Sequence, residues 1–149
     1  MISKNEVLMG RDKQYPNDYT KEVSDNIDRI LEPLNVVRKV YNKPMYVSSG
    51  WRPLSVNEKL SNAGKKSNHI KGLAVDFKDS DGKLRDWILG NLEWLAGLGF
   101  YFEDFRWTPG WAHFQIVPPR SKNRIFVPSM APARDPNAWS GQYDKRLNY

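Results

Sequence analysis

Cysteine is absent from the 149-residue chain, and histidine occurs only at His69 and His113. Without cysteine there are no disulfides and no thiolate metal sites, so any bound metal must be held by His, Asp or Glu. No apolar run approaches the roughly 18 residues that a transmembrane helix needs. The N-terminal stretch MISKNEVLMGRDKQY lacks the long apolar segment of a secretory signal. The expectation is therefore synthesis as a soluble cytoplasmic product that needs outside help to leave the cell. Internal repeats and low-complexity stretches are also missing.

What is present suits one domain. Apolar residues at 40% and aromatics at 13% are enough for a packed core, and the chain is too short for two good ones. A net charge of +6 and a pI near 9.5 favour anionic partners, among them nucleic acid, anionic membranes and acidic cell-wall polymers. No nucleic-acid motif accompanies the basic residues and the six tryptophans, so nucleic acid is not the expected partner.

Val23, Ile27, Ile30, Leu31, Leu34, Val37 and Tyr41 recur with a helical period, and Thr20 stands where an N-cap would. Pro33 falls inside that pattern, which predicts a kink or break there. Asn42-Lys43-Pro44 reads as a turn and Met45-Tyr46-Val47-Ser48 as a short strand. Ser55 is the predicted cap of a short helix running to Leu60, followed by a polar loop from Ser61 to Lys66. Leu73–Phe77 reads as a buried strand closed by an Asp79-Ser80-Asp81-Gly82 turn. That turn superficially suggests a calcium loop but lacks the glutamate at the required spacing.

Leu84, Trp87, Ile88, Leu92, Leu95 and Leu98 predict a second amphipathic helix ending near Gly97 or Gly99. Phe100–Phe105 and Trp111–Val117 suit an antiparallel pair around Thr108-Pro109-Gly110. From residue 118 to 149 the chain is proline-rich (Pro118, Pro119, Pro128, Pro132, Pro136) and reads as an extended tail on a 1–117 domain, packing on that domain or on a partner. Helices mixed with antiparallel strands indicate an α+β fold.

Both histidines lie in settings that suit coordination. His69 precedes a glycine-permitted bend, Asp76 follows on a buried strand, and His113 sits in the apolar strand Trp111-Ala112-His113-Phe114. A buried strand carboxylate needs a cation or several donors. Two imidazoles and one carboxylate, with a fourth position left to water, form a common catalytic Zn²⁺ set. Zinc in such a set lowers the pKa of bound water to roughly 7 and polarises a scissile carbonyl.

Ser67-Asn68-His69-Ile70-Lys71-Gly72-Leu73-Ala74-Val75-Asp76 resembles the Ser-x-His-x-x-Gly-x-Ala-x-Asp signature of the M15 metallopeptidases. That family includes D-Ala-D-Ala carboxypeptidases and dipeptidases and phage L-alanyl-D-glutamate endopeptidases. Ser49-Gly50-Trp51-Arg52-Pro53 is similar to its Ser-Gly-Tyr-Arg segment, with Asn57 where an asparagine often follows. Trp111-Ala112-His113 is similar to its Trp-x-His motif. Leu8-Met9-Gly10-Arg11-Asp12-Lys13 and Pro118-Pro119-Arg120-Ser121 resemble phage-encoded members.

The resemblance implies a small antiparallel sheet packed with helices, of the Hedgehog/DD-peptidase type. It implies His69, Asp76 and His113 as zinc ligands and Arg52 as the cation that binds a substrate carboxylate or stabilises the oxyanion, with Trp111 beside the substrate. A guanidinium fork suits that task through its paired donors. Ser67 is expected to support the ligand loop by hydrogen bonding. The implied substrate is the peptidoglycan stem peptide, and phage virion proteins are possible partners. Lys65, Lys66 and Lys71 flank the expected cleft, where the simpler reading is a solvated loop.

One position departs from the pattern. Many relatives carry a catalytic glutamate three residues before the last histidine, and here that residue is Gly110. The nearest carboxylates are Glu103 and Asp104, only one of which can face the site if both lie on a strand. Glu103 is the assignment, because the phage-like branch carries a Glu-Asp pair there. A non-catalytic virion module that keeps the fold is the alternative.

Overall fold

Helix α3, Lys21–Tyr41, shows its period most plainly. Thr20 caps it by accepting from the Val23 amide at 3.2 Å, and Val23, Ile27, Ile30, Leu34 and Val37 are buried along one stripe. The computed structural model describes residues 1–59 and 67–128, and it carries α3 through Pro33 without interruption, so of the kink or break expected there no break occurs. The missing amide costs about 3 kcal/mol. Ile30 and Leu34, on either side, are each fully buried in the same core, and each contributes about 1.5–3 kcal/mol. Burial outweighs the proline.

Ahead of α3 lie two short helices, α1 (Lys4–Leu8) and α2 (Arg11–Gln14). Ser3 and Glu6 form a reciprocal capping box at the start of α1. Five strands follow through the chain: β1 (Val47–Ser49), β2 (Ala74–Asp79), β3 (Tyr101–Glu103), β4 (Gly110–Gln115) and β5 (Ile125–Phe126). They form one sheet in the order β1-β2-β4-β3-β5. Every pairing is antiparallel except β3–β5, so the sheet is mixed rather than purely antiparallel, within an α+β fold. The parallel pair exists because the chain beyond residue 117 returns along β3, where the Phe102 and Asp104 amides donate to Arg124 O and Phe126 O at 2.7 and 2.8 Å. Ile125 is fully buried.

Helix α4 (Leu54–Glu58) starts after Pro53, whose carbonyl accepts from the Val56 and Asn57 amides. Ser55 therefore lies inside the first turn and is not the cap. The end of that helix expected at Leu60, the Ser61–Lys66 loop with Lys65 and Lys66, and the tail from residue 129 lie outside the described residues.

The second amphipathic helix is two: α6 (Lys83–Gly90) and α7 (Leu92–Gly97). Gly90 is a weak helix former, and the Asn91 side chain donates to Trp87 O at 2.8 Å while its backbone leaves helical geometry. The Asp79–Gly82 turn forms as expected, with both Asp79 carboxylate oxygens accepting from the Leu84 and Arg85 amides at 2.9 Å. The main core lies between α3 and one face of the sheet, where Val75, Phe77, Phe102, Ala112 and Phe114 are fully buried. No helix among the described residues is long and apolar enough to cross a membrane.

Candidate metal centre

The opposite face of the same strands carries the polar residues. Successive strand side chains alternate between faces, so burying Val75, Phe77, Ala112, Phe114 and Phe102 turns Asp76, His113 and Glu103 the other way. The register then aligns them. Ser49 pairs with Asp76 and Asp76 with His113, while Phe102 pairs with Phe114, which brings Glu103 beside His113.

His69 arrives from above the sheet on the one-turn helix α5 (Asn68–Lys71). Ser67 Oγ accepts from the His69 amide at 3.2 Å and from Arg52 Nη2 at 3.3 Å, which is the supporting role expected of it. Asn26 Nδ2 ties α5 to α3 by donating to Lys71 O at 3.0 Å. Gly72 ends the turn at φ +76°, and a Cβ there would meet Ile27 Cγ1 at 2.8 Å. Both the backbone conformation and the close packing require glycine.

These elements bring His69, Asp76 and His113 together. One candidate ligand atom from each lies within 4.8 Å of the others. His69 Nε2 is 3.2 Å from one Asp76 oxygen, and His113 Nδ1 is 2.8 Å from the other. Both imidazoles are almost fully buried. Their remaining nitrogens are engaged by neutral acceptors: His69 Nδ1 lies 2.9 Å from Gly50 O, and His113 Nε2 lies 2.7 Å from Gln115 Oε1. A carbonyl only accepts, so the outer nitrogens hold the protons when the rings are neutral. The inner nitrogens then point unshared pairs at a carboxylate. That arrangement suits a cation at the centre, and the two-imidazole, one-carboxylate set fits zinc.

The electrostatics agree. Burial pushes the Asp76 carboxyl up, but His69 and His113 outweigh it and hold the group well below the usual carboxylate range. Burial pushes His113 down, but Glu103 and Asp76 overcome it and raise its pKa to about 9. The site draws positive charge, whether as protons or as a metal ion.

Arg52 lies alongside. Its amide donates to His69 O at 3.1 Å, and its Nε is buried without a hydrogen-bond partner. Burial lowers its pKa, while Asp76 and Glu103 act on it in the opposite sense. Among the described residues no carboxylate forms an ion pair with it. Glu103 Oε1 stands 3.5 Å from His113 Nδ1. Asp104 is buried elsewhere, accepting from the Arg106 amide at 3.0 Å and pairing with the Arg106 guanidinium. Trp111 shares the strand face of His113 and is half-buried, with no hydrogen bond or ring contact to the cluster. Gly110, at the start of β4, has no side chain to offer.

Three participants were not singled out from the sequence. Gln115 follows His113 by two residues on the same face of β4, so strand alternation could have found it. Gly50 contributes a main-chain carbonyl, which leaves no trace in residue type. The glycine itself is required, because a Cβ there would lie 2.0 Å from Val7 O. The first helices grip this segment: the Trp51 amide donates to Val7 O at 2.8 Å and Arg11 Nη1 to Trp51 O at 2.7 Å. Phe126 of β5 sets its ring 6.3 Å from that of His113, a contact between segments too far apart in sequence to be read locally.

The family described as Peptidase M15 matches residues 6–104, more than half of the chain, a span that holds Arg52, His69, Asp76 and Glu103 and stops short of His113. No curated protein and no solved structure matches the chain. Members of this family are typically metal-dependent peptidases, and the His-Asp-His group described here could hold a metal ion. The chain belongs to the Peptidase M15 family.

Proposed function

We propose that the protein is a zinc-dependent peptidase that cleaves a peptide bond in the peptidoglycan stem, acting as a phage endolysin or virion-associated lysin. The observation that carries this reading is the convergence of His69 Nε2, Asp76 and His113 Nδ1, with both outer imidazole nitrogens already engaged. Zinc held there would polarise the scissile carbonyl and make an attacking water more acidic. Glu103, beside His113 and partly open to solvent, takes the proton from that water and later delivers it to the leaving amine. Arg52, which has no carboxylate partner among the described residues, grips a carboxylate of the stem peptide or the developing oxyanion through its paired donors. Trp111, on the face that carries His113, supplies an apolar wall for the substrate.

Synthesis in the host cytoplasm and arrival at the wall after holin release, or within a particle, completes the reading. The proline-rich chain that continues past β5 is then the natural contact with virion proteins. Incubating purified protein with peptidoglycan, with and without a chelator, tests the proposal when released fragments are identified by mass spectrometry. Zinc-dependent fragments support it. Gly110 favours a second reading, a non-catalytic zinc-binding virion module, because it offers no carboxylate where relatives carry the base. An intact wall beside stoichiometric zinc would select that module.

A further inference from the structure

Gln115 is buried at the end of β4, on the face opposite Ala112 and Phe114. A buried primary amide must find partners for both ends, and this one does. Its Nε2 donates to Val117 O at 2.6 Å, and its Oε1 faces His113 Nε2 at 2.7 Å. The geometry has a direction. Val117 O can only accept, so it takes the NH₂ end, which leaves the amide oxygen toward the imidazole. An imidazole nitrogen facing that oxygen must carry a proton.

We propose that Gln115 is a positioning residue that holds the proton on His113 Nε2 and so commits Nδ1 to face Asp76. The inference rests on the zinc-peptidase reading for its consequence, since Nδ1 is the nitrogen left to ligate. The orientation itself belongs to the chain. A flip of the ring by half a turn would set a C–H against Gln115 Oε1, leaving a buried acceptor without a donor and turning Nδ1 away from Asp76. β4 makes the device possible because it ends at Gln115. The carbonyl of Val117 lies beyond the ladder, free to receive the side chain. The Gly50 carbonyl does the same for His69, but from the main chain, where substitution cannot remove it. Gln115 is the orienting contact that mutation can reach.

Two substitutions test this, each with two readouts. Gln115→Leu removes both ends of the amide, and Gln115→Glu keeps an acceptor toward His113. In metal-free, ¹⁵N-labelled wild type, His113 Nε2–H should give a downfield, slowly exchanging imidazole resonance. In Gln115→Leu that resonance should move upfield and exchange faster, and zinc affinity, measured by competition with a chromophoric chelator, should fall by about 10- to 100-fold. Gln115→Glu should keep the resonance, shifted further downfield, and bind zinc at least as tightly as wild type.

An unchanged resonance together with zinc affinity within about twofold of wild type in a folded Gln115→Leu protein overturns the proposal and leaves Gln115 as packing. If Gln115→Leu does not fold, Gln115→Glu decides: a downfield shift supports the proposal, and no shift overturns it. Wild type that binds no zinc at all would end the peptidase reading, while the metal-free resonance still decides the role of Gln115.

Discussion

On one face of β2, β4 and β3, Phe77 and Phe102 meet Phe114 edge to face, with ring centroids 5.4 and 4.9 Å away. On the other face, Asp76, His113 and Glu103 line up across the same three strands. The backbone ladder serves both faces equally, yet they do different things. The aromatic face is dry and close-packed, and its contribution to stability follows from area removed from water. The polar face gathers two carboxylates and two imidazoles, groups that burial alone disfavours, and it becomes favourable only when positive charge sits among them. One face holds the fold together, and the other is kept ready for a cation by the fold.

Substitutions one residue apart should separate the faces. The largest effect is expected from His69→Ala or His113→Ala. Either leaves two of three ligands, so metal analysis of the purified variant should find most of the zinc gone and turnover on peptidoglycan at the level of chelated wild type. A variant with full zinc content would remove that residue from the ligand set.

Next along β4, Phe114→Ala acts on the dry side. Loss of a buried aromatic ring should cost about 3–5 kcal/mol in chemical denaturation, while zinc content in whatever remains folded stays stoichiometric. Zinc lost without any loss of stability would mean that the two faces are not separable.

A smaller and purely kinetic effect is expected at Glu103. Glu103→Gln keeps shape and hydrogen-bonding reach but cannot take a proton, so turnover should fall by about 10²- to 10⁴-fold with zinc affinity nearly intact. Asp104→Asn gives the contrast. Asp104 caps the turn at Phe105–Trp107 and pairs with Arg106, so its variant should lose on the order of 0.5–2 kcal/mol of stability and keep its turnover. A reversed pattern would move the base to Asp104.

The smallest effect is a pH dependence confined to metal-free protein. His113 titrates near 9 in the folded chain, above its ordinary value of 6.5. The folded state therefore binds the extra proton more tightly, a stabilisation fully present below 6.5 and lost as pH rises through about 9. Asp76 has the opposite sign: its carboxyl is depressed in the folded state, so its contribution is lost on acidification. Thermal melts in chelator should fall across the window from 6.5 to about 9. Zinc-loaded protein should show little slope there, because the metal replaces the proton. Equal slopes with and without zinc would place the metal elsewhere.

Much of this could be read in the chain as written. The helical period over Val23–Tyr41 and the short apolar strands settled an α+β class, because burial demands those periods whatever the partner. The Ser67–Asp76 signature and the second histidine supplied the names of the candidate ligands. With no cysteine and only two histidines, no other imidazole or thiolate donor was available. At Pro33 the helix runs on unbroken, because the local penalty of about 3 kcal/mol is set against burial that only the assembled core supplies. The helix expected through Leu98 misled for a similar reason, since the Asn91 side chain competes for a backbone carbonyl.

Other features belong to tertiary structure alone. Alternation puts Glu103 and Asp104 on opposite sides, but which side faces His113 depends on Phe102 pairing with Phe114. The parallel return of β5, the Gly50 carbonyl behind His69 and the Gln115 amide behind His113 arise from register and close approach between distant segments. Local sequence carries periods and propensities. The orientation of an imidazole is set by which acceptor the folded chain brings to its far nitrogen, and that is decided only when the strands pair.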